Sequence, residues 1–381
     1  MRQNRNLVFI IILFIIFNFG CSKESATSPN EEKIPTMTND FLVDTLATAE
    51  TIALFQNLHK VSQTGVLFGH QDDPAYGVGW WAEPGRSDVK AVCGDYPAVY
   101  GWDLGDIQKE ANLDGVNFTQ MKAWIIEAYN RGGINTISLH LDNPVTHGNA
   151  WDNSAAVNAI LPGQSHHAGY LQTLDLIAAF LKDLKTADGV FVPVILRPYH
   201  EHTQTWSWWG TTSCTKEEYI ALWKMTVEYF LDEHELHHIL YAISPQDTFL
   251  ESVYFDRYPG DDYVDILGLD YYQLWNTSRV PHLGKALEMI ATQAEARGKV
   301  AALTETGVEK VPYSDWWTKY LLAALKYNEQ TRKVAWALVW RNANTDHHFA
   351  PYPGHKSAPD FVNFYNDSLT VFENDLPGMY K

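Results

Sequence analysis

Two acidic side chains stand where buried strands should end. Glu201 closes "VFVPVILRPYHE", residues 190–201, and Glu305 lies near the end of "KVAALTETG", residues 299–307. Either one alone reads as a solvated or salt-bridged carboxylate. Facing each other across one pocket, they could cleave a glycosidic bond. Two carboxyls about 5–5.5 Å apart suit double displacement, in which one protonates the leaving oxygen and the other attacks the anomeric carbon. At an effective dielectric near 20, two unit charges ~5.5 Å apart repel by roughly 3 kcal/mol. That is about two pKa units, enough to keep one carboxyl protonated near neutral pH. Once the other has become a glycosyl ester, the first loses this elevation and can act as a base toward water.

Such a pair needs a frame that brings distant residues together. Eight short apolar runs end in polar or glycine residues: 65–73, 97–106, 134–144, 190–201, 238–245, 265–272, 299–307 and 334–342. Between them lie amphipathic segments such as "NFTQMKAWIIEAYNRG", "YLQTLDLIAAFLKDLK" and "KEEYIALWKMTVEYFLDEH". Apolar strands alternating with helices predict a parallel sheet covered by helices. Eight units in this length predict an α/β fold, a (β/α)8 barrel with long loops. A doubly wound open sheet is the alternative, but no GxGxxG follows the first strand. His70, Asp103, His140, Glu201, Asp270, Glu305 and Trp340 fall at the C-terminal strand ends, the face on which barrel enzymes carry their chemistry. Glu201 and Glu305 then belong to the fourth and seventh strands, on opposite sides of the mouth. Arg197, four residues before Glu201, is expected to share its strand face and to reach the other glutamate.

The stretch "RPYHEHTQTWSWWG" resembles the acid/base motif of glycoside hydrolase family 26, the β-mannanases, and "LTETG" resembles its nucleophile motif. "FGHQDDPAYG", "YGWDLGD", "SLHLDNP", "LGLDYY" and "ALVWRN" are also similar to strand ends of that family, so the likeness runs from about residue 60 to 345. It implies a retaining (β/α)8 glycosidase cleaving β-1,4-mannosidic links in mannan, galactomannan or glucomannan, with Glu201 as acid/base and Glu305 as nucleophile. By the same likeness Trp206 lines the leaving-group side and Tyr272 donates to the nucleophile, with Tyr271 the other register. Trp340 lies under the sugar being cleaved, Arg341 bounds the next sugar outward, and His140 is a further contact there. His200 stands where a related pattern has Asn, near the 2-hydroxyl that distinguishes mannose from glucose. Trp208, Trp209 and Trp336 read equally as core.

Composition narrows the class. The 381 residues carry a net charge of −18 and no long basic block, which disfavours a nucleic-acid partner. The 14 Trp and 20 Tyr, many beside Gly, Asp or His, suit a wet stacking surface better than an aliphatic core. The CH faces of a pyranose stack on rings, while its hydroxyls need directional partners. His166-His167, His237-His238 and His347-His348 invite a metal reading, but neighbours point apart and no HExxH or Cys cluster is present. Neither metal nor cofactor is expected.

Arg2 and Arg5 precede the apolar "LVFIIILFIIFNF", followed by Gly20-Cys21. This resembles a bacterial lipoprotein signal, although Asn18 stands where Leu is usual; the alternative is a plain secretory signal. The expected organisation is a signal over 1–20, a lipid at Cys21, a tether over 21–40 and a catalytic domain over 41–381. The mature protein would be a monomer held on the periplasmic or surface side of an outer membrane, touching lipid only through that anchor. Pairing of Cys93 with Cys214 cannot be read from sequence. The rival functions are a mannobiose-releasing exo enzyme, a lipidated glycan-binding protein with an inactive barrel, and a metal-dependent hydrolase on the same frame.

Overall fold

The computed structural model describes residues 41–381, so the signal, Cys21 and tether expectations lie outside the described residues. Eight strands form the frame: β1 (Val66–Gln71), β2 (Val99–Asp103), β3 (Ile134–Ser138), β4 (Val194–Arg197), β5 (Ile239–Ile243), β6 (Ile266–Tyr271), β7 (Val300–Thr306) and β8 (Trp336–Val339). Every neighbouring pair is parallel, and β8 pairs back onto β1 with Leu67 opposite Trp336, which closes the barrel. All eight apolar runs became strands, and the open-sheet alternative is excluded. Two features had no forecast: a hairpin of Tyr76–Gly77 with Trp80–Trp81, and a short strand, Thr370–Val371, alongside the start of β1.

Side-chain alternation divides the apolar residues into two cores. Leu67, Val99, Ile134, Ile195, Leu240, Ile266, Val300 and Trp336 fill the lumen. Val66, Phe68, Trp102, Ile137, Leu196 and Ile243 face the surrounding helices. Gly69 falls on the lumen face of β1, where an added Cβ would come within 3.0–3.1 Å of the Cβ atoms of Leu338 and Val99. A side chain there would press on both neighbours across the narrow lumen.

The main helices are α1 (Ala49–Val61), α2 (Phe118–Arg131), α3 (His167–Lys182), α4 (Lys216–Glu228), α5 (Val280–Arg297) and α6 (Ala358–Tyr365). Their ends carry local signals. The Asn117 side chain caps α2 by accepting from the Thr119 and Gln120 amides, and Thr215 with Glu218 makes a reciprocal capping box on α4. Helix α1 precedes the barrel and packs Leu54, Phe55, Leu58 and Val61 into the same core as the lumen residues. It seals the N-terminal end. Among the described residues no helix is long and apolar enough to cross a membrane. Cys93 and Cys214 are both free thiols.

Candidate active site

The seventh strand supplies Glu305 through an irregularity. Along β7, Val300 and Ala302 face the lumen, and strict alternation would turn Glu305 outward. The pairing with β6 shifts instead, from Leu269 opposite Leu303 to Asp270 opposite Glu305. The extra residue is a bulge, and it lets both Thr304 and Glu305 reach the pocket. Thr304 Oγ1 donates to Asp270 Oδ1 at 2.7 Å. Glu305 Oε1 accepts from Arg197 Nη2, and its Oε2 accepts from the Tyr272 hydroxyl at 2.8 Å. Burial and the nearby Glu305 and Glu201 charges push the Tyr272 hydroxyl well above its ordinary pKa, so it remains a donor. Tyr271, the other register, points away and is buried at 1% exposure.

Glu201 arrives differently from the sequence expectation. Strand β4 stops at Arg197, and Glu201 lies in the turn beyond it, so the two do not share a strand face. Tyr199 and Glu201 both take positive φ, 49° and 52°, without being glycine. Such residues persist only where their surroundings over-determine them. Here the Glu201 amide donates to Ser244 O at 2.8 Å, and Trp209 Nε1 donates to His200 O at 2.7 Å. The Tyr199 hydroxyl bonds Tyr170 and, at 2.7 Å, Thr226, while Tyr219 OH reaches Tyr199 O at 3.1 Å. Trp208 and Trp209 are wholly buried and brace this turn, and Trp336 belongs to the lumen; all three are core.

The two carboxyls differ in their surroundings. Glu201 is nearly buried and accepts one hydrogen bond, from Trp206 Nε1 at 2.7 Å. Burial raises its pKa to about 7, with repulsion from Glu305 second and the Trp206 bond, Arg197 and His140 opposing. The direction matches the sequence argument, but the ranking of causes does not: desolvation outweighs like-charge repulsion. Arg197 is the pivot between the two acids. Burial alone would lower its pKa, yet Asp270, with Nη1 to Oδ2 at 2.8 Å, and Glu305 hold it above its usual value. Ser244 joins them, accepting from Arg197 and donating to Asp270, each at 2.8–2.9 Å.

Two histidines meet beside the acids, with pKa values shifted in opposite directions. His140 Nδ1 lies 2.6 Å from Asp103 Oδ2, and its Nε2 lies 3.1 Å from His200 Nε2. Burial opposes a proton on His140, but Asp103 and Glu305 raise its pKa; burial, Arg197 and His140 depress that of His200. The Nε2 atoms of the two rings share one hydrogen bond, and the opposite shifts favour His140 as its donor. His200 is 1% exposed, and its ring lies 4.4 Å from that of His140 and 5.8 Å from that of Trp206. The His140 ring sits among Trp151, Trp206 and Trp340, with centroids 5.4, 5.7 and 6.0 Å away. Trp206 and Trp340 are both half-buried.

Arg341 stands apart, next to Trp340. It pairs with Asp114 at 2.9 Å and reaches Tyr76 OH at 3.4 Å, and Tyr76 donates to Asp72 Oδ2 at 2.6 Å. His70 faces away from the pocket and bonds Asp73 at 2.8 Å. Asp103, Asp114, Ser244 and Trp151 had not been singled out as site residues. Asp103 and Asp270 were visible as polar strand ends, whereas Asp114, Ser244 and Trp151 carry no local mark. The histidine pairs disperse: His167 binds Ile160 O, His237 binds Asp44, His238 binds Leu181 O and His347 binds Glu309.

Comparison with known proteins gives consistent relatives. The model described as Glycosyl hydrolase family 26 matches residues 43–357. A mannan endo-1,4-β-mannosidase of Bifidobacterium adolescentis is 34% identical over 302 residues, covering 76% of this chain and 29% of the relative. One of Bacillus subtilis is 31% identical over 195 residues, covering 48% of this chain and 52% of that protein. The chain thus spans under a third and about half of these relatives' lengths. Among solved structures, a β-mannanase from Bacteroides ovatus is 43% identical with a TM-score of 0.84, over 88% of this chain and 98% of that one. A modular endo-β-1,4-mannanase from Cellulomonas fimi is 36% identical with a TM-score of 0.84, over 89% and 79%.

Proposed function

The chain belongs to glycosyl hydrolase family 26, and from that premise we propose that it hydrolyses β-1,4-linked mannan internally, with retention of configuration. The observation that carries the mechanism is the unlike setting of the two acids. Glu305 is held by two donors, Arg197 and Tyr272, while Glu201 keeps one donor and a pKa raised to about 7. A carboxylate fixed by donors is a nucleophile of set direction, and a carboxyl near neutral pKa can give and take a proton at working pH.

In the first step Glu305 forms a bond to the anomeric carbon as the bond from that carbon to the leaving oxygen breaks. Glu201 delivers its proton to that oxygen. The glycosyl ester then removes the Glu305 charge, which lowers the pKa of Glu201. In the second step Glu201 takes a proton from water, the hydroxide attacks the same carbon, and Glu305 is released as carboxylate. Trp340 supports the sugar at the cleavage point, Arg341 bounds the next one outward and Trp206 flanks the leaving group. His140, held by its hydrogen bond to Asp103, stands beside the reacting sugar. Internal cleavage of mannan is supported by the likeness to mannan endo-1,4-β-mannosidases.

Proton NMR of the first sugar released from mannohexaose tests this reading. β-Anomeric product appearing before its mutarotated form is expected; α-product appearing first overturns double displacement. A product-length time course on mannan, glucomannan, lichenan and xylan tests sugar and mode together, and mannobiose as the sole early product overturns internal cutting. We also propose that the enzyme is exported and anchored through a lipid on Cys21, on the strength of the sequence pattern alone.

A further inference from the structure

Exposed apolar side chains gather on one face of this molecule. Of the exposed large hydrophobic residues, Trp81 and Trp151 follow β1 and β3, Phe249, Leu250 and Val253 follow β5, and Trp275 follows β6. All six lie in the connections that follow the C-terminal ends of barrel strands, Trp81 in the hairpin and Val253 in a short helix, Glu251–Tyr254. Phe249 is 42% exposed, Leu250 52%, Val253 40% and Trp275 41%, and no active-site role uses these four.

Their place is fixed by the turn that carries Glu201. Thr203 Oγ1 donates to Gln246 O at 3.1 Å, and the Gln246 amide returns a bond to Thr203 Oγ1 at 2.9 Å. The Glu201 amide is tied to Ser244 O, two residues before Gln246. The group that protonates the leaving oxygen must stand on the leaving-group side, so the loop stitched to it flanks the departing chain. Trp275 approaches from the other strand, three residues after Tyr272, which holds the nucleophile. The two loops meet. Phe249 contacts the His282 ring with centroids 5.8 Å apart. The Arg279 guanidinium lies 5.2 Å from the Trp275 centroid and also acts electrostatically on Asp247 and Tyr271.

A flat ring backed by a guanidinium, bordered by Asp247 and His282, has the chemistry of a pyranose platform: a face for CH groups and charged edges for hydroxyls. We infer that Trp275 and Phe249 form a binding site for sugars of the leaving-group chain beyond the one that Trp206 touches, an inference that rests on the mannan reading. The occupant is a β-linked hexopyranose chain already seated across the two glutamates. The site selects long substrates over short ones without touching the bond that breaks.

The test compares mannohexaose with an aryl β-mannobioside, whose aryl group leaves at the cut and cannot extend to the platform. For Trp275→Ala the ratio of kcat/KM on hexaose to that on the aryl substrate should fall roughly tenfold, and Trp275→Phe should recover most of the loss. Thermal melting of each variant separates folding defects from binding. An unchanged ratio in the Ala variant overturns the site. So does a dimer of the unsubstituted protein that Trp275→Ala dissociates in sedimentation, which would assign the patch to a second copy of the chain. Absence of cleavage of both substrates by the unsubstituted protein overturns the mannan reading, and this inference with it; normal cleavage with an unchanged ratio overturns the platform alone.

Discussion

Replacing Trp206 by Phe keeps an aromatic ring against Glu201 but deletes the indole N–H that reaches Oε2 at 2.7 Å. That bond favours the carboxylate, and it is among the influences that hold Glu201 down against burial. A hydrogen bond to a charged group contributes about 1.5 kcal/mol at the low end of its range. At about 1.4 kcal/mol per pKa unit, its loss raises the pKa of Glu201 by roughly one unit. The proton donor must be protonated, so kcat/KM declines as pH rises through the pKa of Glu201. The alkaline limb is therefore expected to move from about 7 to about 8. The assay is kcat/KM on mannohexaose between about pH 5 and 10, where an unactivated leaving group makes proton donation necessary. Weaker sugar stacking in the variant lowers the whole curve without displacing its limb. A limb that stays in place, or moves to lower pH, refutes the assignment of Glu201 as the donor.

Four further outcomes are expected. Glu305→Ala should lose ~10³-fold or more in kcat while still binding mannooligosaccharides by calorimetry; unchanged turnover would remove it as the nucleophile. Glu201→Ala should slow mannohexaose far more than an aryl β-mannobioside with a good leaving group, and equal losses would contradict its acid role. Arg197→Met leaves Asp270 and Glu305 buried without their shared donor, so urea unfolding should show a loss of about 3–5 kcal/mol; a loss under about 1 kcal/mol would show that the pivot does not hold the pair. Cys21→Ala should move the protein from the membrane to the soluble fraction, and retention on the membrane would point to another anchor.

The frame could be read because each strand is a short apolar run closed by a polar residue, and eight such runs allow few architectures. The pairing of Arg197 with Glu305 was also legible, since strand-end residues converge on one mouth, while that of Tyr272 came with the family likeness. Two local conformations were not. Strict alternation places Glu305 outward, and only the pairing shift between Leu269 and Asp270 turns it in. Likewise nothing in "RPYHE" marks Tyr199 and Glu201 as left-handed, because the groups that hold them there come from Tyr170, Thr226, Tyr219 and Trp209. The partners of a side chain are set by packing among distant segments. For that reason the Asp114 pairing with Arg341 and the Trp151 stacking on His140 emerge only with the fold.

The filled lumen, closed beneath by helix α1, makes the site a bowl rather than a tunnel. With Leu54, Phe55 and Leu58 packed beneath the lumen side chains, nothing can pass through the barrel along its axis. On the proposed reading, a polymer reaching the two glutamates has to lie across the rim, and both fragments must depart from the side by which the intact strand arrived. Release of products therefore competes with docking of the next chain on the same open surface.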